Sequence, residues 1–129
     1  MIKWIPIVLA ALLLTGCTAK NQDALGYRQI SMEEAAKLME QETDYLLLDV
    51  RTAEEFQQGH IPEAMNLPNE DIGTQQLTQL PQKDQLLLVY CRSGNRSKQA
   101  AKKLVNLGYT NVVEIGGIMD WTGDLAAGD

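Results

Sequence analysis

One cysteine in this chain lies where a thiolate would be stabilised. Cys91 follows an apolar run at residues 86–90 and precedes residues 98–107, whose apolar positions recur with helical spacing. This order predicts a buried strand, then a loop that begins with the cysteine, then a helix. Loop N–H groups and the partial positive charge of a helix N-terminus stabilise a thiolate or a bound anion. Because the thiolate is the nucleophilic form of cysteine, the pattern indicates nucleophilic or anion-binding chemistry at Cys91.

The residues after Cys91 combine small polar side chains with two arginines. Backbone N–H groups of residues 92–97 would point into the loop, and Arg96 would add two parallel donors for a tetrahedral anion. We therefore predict Cys91 as the nucleophile. The predicted substrate-binding residues are Arg92, Ser93, Gly94, Asn95, Arg96 and Ser97. The alternative is a buried structural cysteine beside a polar turn.

The composition indicates an ordinary folded domain and argues against several kinds of partner. The chain has 129 residues, of which 45% are hydrophobic and 22% are charged, as expected for one globular domain. Its net charge of -6 argues against nucleic acid, which requires a basic surface. With His60 as its only histidine and two cysteines, the chain predicts no metal site. It also lacks a glycine-rich nucleotide fingerprint, so no cofactor is predicted.

The first residues have the features of a secretory signal. Lys3 supplies a positive start and residues 5–14 an apolar segment, which is shorter than the about 20 residues that span a bilayer. Residues 14–17, Leu-Thr-Gly-Cys, resemble the lipobox of bacterial lipoproteins. The resemblance implies cleavage before Cys17 and lipidation of that cysteine. The alternative is an uncleaved signal anchor or a secreted protein cut at another bond.

This N-terminus predicts a protein of the cell envelope. The predicted parts are a signal peptide at residues 1–16, a lipidated cysteine with a polar tether at 17–26, and a folded domain at 27–129. Lipid would hold the domain on the periplasmic side of a bacterial membrane. Thr18 after the lipidated cysteine resembles the outer-membrane type of enterobacterial lipoproteins, although the sorting rule differs between lineages. A disulfide between Cys17 and Cys91 is the competing interpretation, which acylation of Cys17 would exclude.

Short apolar runs alternate along the domain with segments that carry helix signals. Strands are predicted over residues 27–30, 45–50, 64–67, 86–90 and 112–115. Helices are predicted over residues 32–41, 53–56, 69–80 and 98–107, with a helical turn at 118–121. The predicted N-caps are Ser31, Thr52 and Ser97, Gly108 is the predicted C′ residue, and Gly116-Gly117 is a predicted turn. The alternation predicts an α/β domain with a mainly parallel sheet and helices on both faces.

Two further polar residues follow a predicted strand. Asp49 and Arg51 come at the end of the run at residues 45–50, as Cys91 comes at the end of its own run. Ligands of parallel sheets lie at the carboxyl ends of the strands, so these ends are expected to be close together. We predict Asp49 and Arg51 as supporting residues that organise the neighbouring chain, rather than as a catalytic base.

Four stretches of the chain resemble motifs of the rhodanese family. Residues 91–97 match its active-site loop, which reads Cys, two residues, Gly, one residue, Arg, then Ser or Ala. The other matches are residues 48–51 with 54–56, residues 59–68 around Gly-His-Ile-Pro, and Gly116-Gly117 with Trp121. The resemblance covers residues 27–129 and implies a rhodanese fold. It departs from the family at Glu63, where the family often has glycine.

The resemblance implies a sulfurtransferase. Cys91 would take a sulfane sulfur from a donor such as thiosulfate and pass it, from a persulfide, to cyanide or a thiol without a cofactor or metal. Related phosphatases and arsenate reductases have a longer loop, whereas four residues separate Cys91 from Arg96 here. Such phosphatase-like or reductase-like activity is the less favoured alternative. A module that carries or senses sulfane sulfur, or acts as a scaffold without turnover, is the other alternative.

The lipidation hypothesis predicts acylation at one cysteine. In a bacterial host fed labelled palmitate, we expect the wild-type protein and a Cys91→Ser control to carry the label and a Cys17→Ser variant to lack it. Label that persists in the Cys17→Ser variant would rule out attachment at Cys17.

Overall fold

A sheet of five parallel strands forms the centre of the protein. The computed structural model describes residues 25–73 and 76–129. Its strands are β1 (Arg28–Gln29), β2 (Tyr45–Asp49), β3 (Met65–Asn66), β4 (Leu86–Cys91) and β5 (Val112–Gly117). The α-helices are α1 (Met32–Gln41), α2 (Ala53–Gln58) and α3 (Asn95–Asn106), and short 3₁₀ helices cover Asn69–Asp71 and Ile118–Asp120. The strand order β1-β5-β4-β2-β3 and the parallel pairing confirm the predicted α/β architecture.

The predicted signal peptide at residues 1–16, Cys17 and most of the predicted tether lie outside the described residues. Among the helices that the structure describes, none has the length and hydrophobicity of a membrane span. Within the same part of the chain, no group of His, Cys, Asp and Glu side chains has the arrangement of a metal site.

Side chains of the central strand alternate between two covered faces of the sheet. Leu87, Val89 and Cys91 point to the face on which α3 packs, whereas Leu88 and Tyr90 point to the face on which α1 packs. All five residues are at most 1% exposed. Burial on both sides explains why β4 is almost continuously apolar, and it confirms the prediction of helices on both faces.

Capping residues begin the first two helices as predicted. The Ser31 hydroxyl accepts a hydrogen bond from Glu34 N at 3.1 Å. Thr52 and Glu55 form a capping box, in which Thr52 Oγ1 accepts from Glu55 N at 3.2 Å and the Glu55 carboxylate accepts from Thr52 N at 3.3 Å. Gly108 follows α3 with a φ of +99°, as expected for a C′ glycine.

The helix predicted over residues 69–80 is wrong. Only Asn69–Asp71 form a short 3₁₀ helix, and the described residues that follow contain bends and turns. The side chains of Ile72, Leu77 and Leu80 are buried in the core cluster on the α3 face of the sheet. Their apolar character therefore reflects anchoring of a loop to the core, which overrides the helical tendency of the local sequence.

The N-cap predicted at Ser97 is also wrong, because α3 begins at Asn95. Gly94 is the N-cap, with a φ of +113° that favours glycine. Ser97 lies inside the first turn, and its hydroxyl contacts Cys91 on β4 and Glu114 on β5. Ser97 lies beside the loop as predicted, but its side chain bonds to Cys91 and Glu114 instead of capping the helix.

A β-bulge replaces the turn that was predicted at Gly116-Gly117. Val89 pairs with Glu114 and Cys91 pairs with Gly117, so β5 has one extra residue in this interval. Gly116 takes a φ of +90° there, and β5 continues through Gly117. The bulge directs the end of β5 toward the loop that follows β4.

Gly117 lies against the backbone of that loop. A Cβ atom added at residue 117 would overlap the carbonyl group of Arg92 and lie 2.7 Å from the Cα of Ser93. Met119 N also donates to Arg92 O at 3.3 Å. Since only glycine permits this approach, the loop and the end of β5 have to take up their shapes together.

Substitution of Gly117 should therefore be costly. We expect Gly117→Ala to lower the free energy of unfolding by about 2–3 kcal/mol, because the added methyl group meets backbone that cannot move aside. Gly73→Ala is the matched control, since an added Cβ meets no atom of the described residues within 4 Å, and its effect should stay within about 0.5 kcal/mol. Urea unfolding measures both, and equal stability of Gly117→Ala and wild type would contradict the close approach.

Candidate active site

The sulfur of Cys91 lies at the base of the loop between β4 and α3. Cys91 is the last residue of the buried strand, carries a free thiol and is 1% exposed. Gly94 N donates to its Sγ at 3.0 Å, and the Oγ of Ser97 lies 3.4 Å from the same sulfur. The loop thus wraps around the sulfur, and only a slender group can approach it from outside.

Two opposing effects act on the pKa of the Cys91 thiol. Burial raises this pKa, because a buried thiolate loses hydration. Hydrogen bonds from the hydroxyl and N–H of Ser97, and from the N–H groups of Gly94 and Ser93, lower it. The hydrogen bonds prevail, so the pKa of Cys91 lies below the ordinary value for a cysteine. A larger fraction of the thiol is therefore in the nucleophilic thiolate form at neutral pH.

Ser97 links Cys91 to a buried carboxylate on β5. Its Oγ lies 2.6 Å from Oε2 of Glu114, and Gly116 N donates to the same oxygen at 2.7 Å. Glu114 is 3% exposed and pairs in register with Val89, whose side chain shares a face of the sheet with Cys91. The bulge and the register therefore bring a carboxylate to the hydroxyl that touches the sulfur.

Arg96 makes a bidentate ion pair with a residue of α2. Its Nη1 and Nη2 lie 2.7 and 3.0 Å from the two carboxylate oxygens of Glu55. Hydrogen bonding to Arg96 lowers the pKa of Glu55 to about 2, against a smaller opposing effect of burial. Arg96 was predicted as a hydrogen-bond donor to a bound anion. In the structure its Nη1 and Nη2 bind Glu55 instead, so Arg96 connects the loop to α2.

Asp49, the last residue of β2, and Arg51 form a buried ion pair. Arg51 Nη2 lies 2.6 Å from Asp49 Oδ2, and Arg51 N and Nε both donate to Asp49 Oδ1 at 3.0 Å. The same Nη2 donates to Gly59 O at 2.7 Å. The pair therefore holds the end of β2 and the turn after α2 in place, which is an organising arrangement.

A cavity of about 350 Å³ lies beside the loop. Arg92 and the ion-paired residues Arg51 and Glu55 contribute charges of both signs to its lining, and Met119 and Leu125 contribute exposed apolar surface. Arg92, Ser93 and Asn95 are themselves exposed on the loop. Arg92 is the exposed cation of this lining and would attract a small anion.

Two carboxylates of this region were not predicted as part of the site. Glu114 interrupts an apolar run predicted as a buried strand, and a buried carboxylate requires a partner, so a signal for it was present. Glu55 lies in the helix predicted over residues 53–56 and was not predicted as part of the site. Its pairing with Arg96, 41 positions away, has no local signal in the sequence.

The ion pair of Glu55 predicts a specific pH dependence of stability. The folded-state pKa is lowered from 4.5 to about 2, so the contribution of the pair is complete above the unfolded pKa and is lost as pH falls toward the folded one. Gln at this position keeps the capping box but not the charge. We expect Glu55→Gln to lower the free energy of unfolding by about 0.5–1 kcal/mol at neutral pH, since the pair is partly exposed. Between about pH 4.5 and 2, the melting temperature of this variant should fall less than that of wild type.

Glu54→Gln is the control for this measurement, because Glu54 is an exposed acid of the same helix. It should leave the acid-induced loss of melting temperature unchanged. If the melting temperatures of Glu55→Gln and wild type fall equally as the pH is lowered, the ion pair does not contribute to stability.

Comparison with known proteins places this site in a family. Residues 31–124 match the family described as Rhodanese-like domain. A sulfurtransferase of Allochromatium vinosum is 39% identical over 94 residues, which cover 72% of this chain and 86% of that protein. The thiosulfate sulfurtransferase PspE of Escherichia coli is 38% identical over 73 residues, which cover 57% of this chain and 70% of that protein.

A solved structure described as a rhodanese with anions from E. coli has the same fold. It superposes with a TM-score of 0.60 at 34% identity, covering 65% of this chain and 99% of that one. The family match spans most of the chain, including the cysteine loop and the strands that hold it. This chain therefore belongs to the rhodanese-like family, and sulfurtransferases are among its relatives.

Proposed function

We propose that this protein transfers a sulfane sulfur from a small donor, such as thiosulfate, to cyanide or a thiol through a persulfide on Cys91. The observation that carries the proposal is the position of the sulfur. Cys91 Sγ lies at the base of a loop whose Gly94 N–H points at it from 3.0 Å. Family membership and the sulfurtransferase relatives support the same reaction class.

The reaction has two half-reactions. The Cys91 thiolate attacks the outer sulfur of thiosulfate; a bond forms between the two sulfurs, the S–S bond of thiosulfate breaks, and sulfite leaves with the electron pair. Cyanide or a thiolate then attacks the outer sulfur of the persulfide. Thiocyanate or an acceptor persulfide leaves, and the Cys91 thiolate is restored. Donor and acceptor react in turn, so ping-pong kinetics are expected.

The loop supplies the electrostatic contribution to both steps. N–H groups of Ser93, Gly94 and Ser97 already act on the sulfur of Cys91. The same donors would stabilise the negative charge of the outer persulfide sulfur as it develops. Fixed backbone dipoles need no rearrangement during the reaction, which is why a short loop at the start of a helix suits this chemistry.

The surroundings of the loop favour a small sulfur compound over a phosphate ester. Four residues between Cys91 and Arg96 make a small cradle, and the sulfur is 1% exposed. Arg92 lines the adjacent cavity and would attract the oxyanion end of thiosulfate, while the slender sulfane end enters the loop. A tetrahedral phosphoryl group would need a wider loop, so phosphatase-like activity is the weaker candidate.

We also propose that the domain works at a bacterial membrane. The proposal rests on the lipobox-like residues 14–17 and on the polar tether before the domain. Lipid on Cys17 would hold the domain on the periplasmic side. It would also remove the other cysteine of the chain from competition for Cys91, which suits a lone reactive thiol in an oxidising compartment.

The decisive test removes the nucleophile. We expect Cys91→Ala to gain no sulfur on incubation with thiosulfate, as measured by intact-protein mass spectrometry. Its rate of thiocyanate formation from thiosulfate and cyanide should fall by at least about 1,000-fold, because covalent catalysis is lost. The wild type should gain the mass of one sulfur atom, on the peptide that contains Cys91.

Cys17→Ser is the control and should keep both loading and turnover. Unchanged activity of Cys91→Ala would overturn the proposal. A wild-type persulfide that forms but discharges slowly to every thiol in an acceptor panel would point to a sulfur carrier, and the absence of loading would point to a scaffold.

A further inference from the structure

Glu114 is a buried carboxylate that the transfer chemistry described above does not use. It is 3% exposed, and its Oε2 accepts hydrogen bonds from both Ser97 Oγ at 2.6 Å and Gly116 N at 2.7 Å. Burial of a carboxylate is costly unless charge or hydrogen bonds compensate it. Its short contact with the hydroxyl that touches Cys91 therefore needs a functional explanation.

The hydroxyl of Ser97 has a single proton to donate. The Gly94 carbonyl oxygen lies 2.9 Å from Ser97 Oγ, but it already accepts a hydrogen bond from Lys98 N at 3.2 Å. The contact with the Glu114 carboxylate is shorter, and an ionised acceptor makes the stronger bond. The Ser97 proton therefore points to Glu114, which leaves an oxygen lone pair facing the thiol of Cys91 at 3.4 Å.

We propose that Glu114 is a positioning residue that shares one negative charge with Cys91 through Ser97. When the thiol ionises, the bond between Sγ and its hydrogen breaks and the proton passes to Ser97 Oγ. The original Ser97 proton passes at the same time to Glu114 Oε2. The electron pair stays on sulfur, the carboxylate becomes a carboxylic acid, and the net charge of the three groups does not change.

Two features of the site oppose a second negative charge. The thiolate and the carboxylate would lie two hydrogen bonds apart in a buried setting, where like charges repel strongly. The single proton of Ser97 can also serve only one of the two anions. Ionisation of the Cys91 thiol is therefore coupled to the negative charge of Glu114.

Other charges around this pair do not remove the coupling. The groups that neighbouring elements contribute are Tyr27 before β1, Glu33 on α1, the Asp49–Arg51 pair at the end of β2, Arg92 in the loop, Arg96 and Lys98 on α3, and Asp120 after β5. Arg96 favours the thiolate, but its charge is balanced by Glu55.

Glu114 also gives the proton a route to solvent. It lines a cavity of about 490 Å³ together with the exposed residues Glu33, Lys98 and Asp120. Cys91 itself is 1% exposed at the base of its loop. Ser93 and Gly94 of the cysteine loop line the same cavity, so a proton that reaches Glu114 lies beside a cavity that opens to solvent next to the loop.

The shared charge bears on sulfur transfer, and this step rests on the proposed function. A persulfide carries its charge on the outer sulfur, farther from Glu114 than the Sγ of an unloaded thiolate. Glu114 can therefore keep its own negative charge more readily beside the persulfide than beside the unloaded thiolate. Glu114 would thus favour retention of the sulfur until an acceptor arrives.

The test measures the ionisation of Cys91 without any sulfur compound. The rate of alkylation by iodoacetamide is followed on the peptide that contains Cys91, by mass spectrometry, from about pH 4 to 10. Wild type should show two steps, with a plateau of modest reactivity between them. Glu114→Gln should show one step, with a midpoint at least about one pH unit below the upper midpoint of wild type. At pH values below both midpoints, this shift corresponds to about tenfold faster alkylation of the variant.

Two further variants separate the shared charge from a merely structural effect. Ser97→Ala should raise the midpoint, because the thiolate loses a donor while the carboxylate stays beside it. Asp120→Asn removes an exposed acid from the same cavity and should stay within about 0.3 pH units of wild type. A general loosening of the loop would move Glu114→Gln and Ser97→Ala in the same direction, whereas the shared charge moves them in opposite directions.

A Glu114→Gln midpoint equal to or above that of wild type would overturn the proposal. If this variant does not fold, an unchanged midpoint in Ser97→Ala would overturn it instead. Failure of sulfur loading with the two-step alkylation profile intact would reject the proposed sulfur transfer and leave the shared charge standing. The two proposals are therefore tested separately.

Discussion

The close approach of the end of β5 to the loop after β4 is the constraint on which the site depends. Gly117 touches the backbone of Arg92 and Ser93, where any side chain atom would overlap them. A one-residue bulge in β5 makes this approach possible, because it shifts the register between Val89 and Cys91. Backbone packing, rather than a side-chain contact, thus directs the N–H groups of the loop toward the sulfur.

Carboxylates organise the site from three directions, each with its own partner. Asp49 pairs with Arg51 and so holds the end of β2, while Glu55 pairs with Arg96 and joins α2 to α3. Glu114 differs because its partner is a neutral hydroxyl and a backbone N–H rather than an arginine. An ion pair keeps its charge over a wide pH range, whereas a carboxylate held by a hydroxyl can exchange its proton with a neighbouring acid. Glu114 is thus the one of these three carboxylates that binds a hydroxyl in contact with Cys91.

Fold class and the position of Cys91 at the end of a buried strand could be predicted because both depend on strong local patterns. Continuous apolar runs at β2 and β4 indicated strands buried on both faces, and polar residues at their ends indicated the functional edge of the sheet. The N-cap residues Ser31 and Thr52 located the starts of two helices for the same reason. The segment at residues 69–80 escaped prediction, since its apolar residues respond to the core beneath them rather than to a helix of their own.

The sequence by itself determined which chemistry is present: a cysteine after a buried strand, a short polar loop with Arg96, and a helix behind it. Only the tertiary structure decided the partners of these residues. Arg96 turned out to bind Glu55, 41 positions away, and Ser97 to bind Glu114, 17 positions away. The physical reason is that strand propensity and loop composition act over a few residues, whereas hydrogen-bond partners depend on strand order and register. Those are set by the packing of the whole sheet.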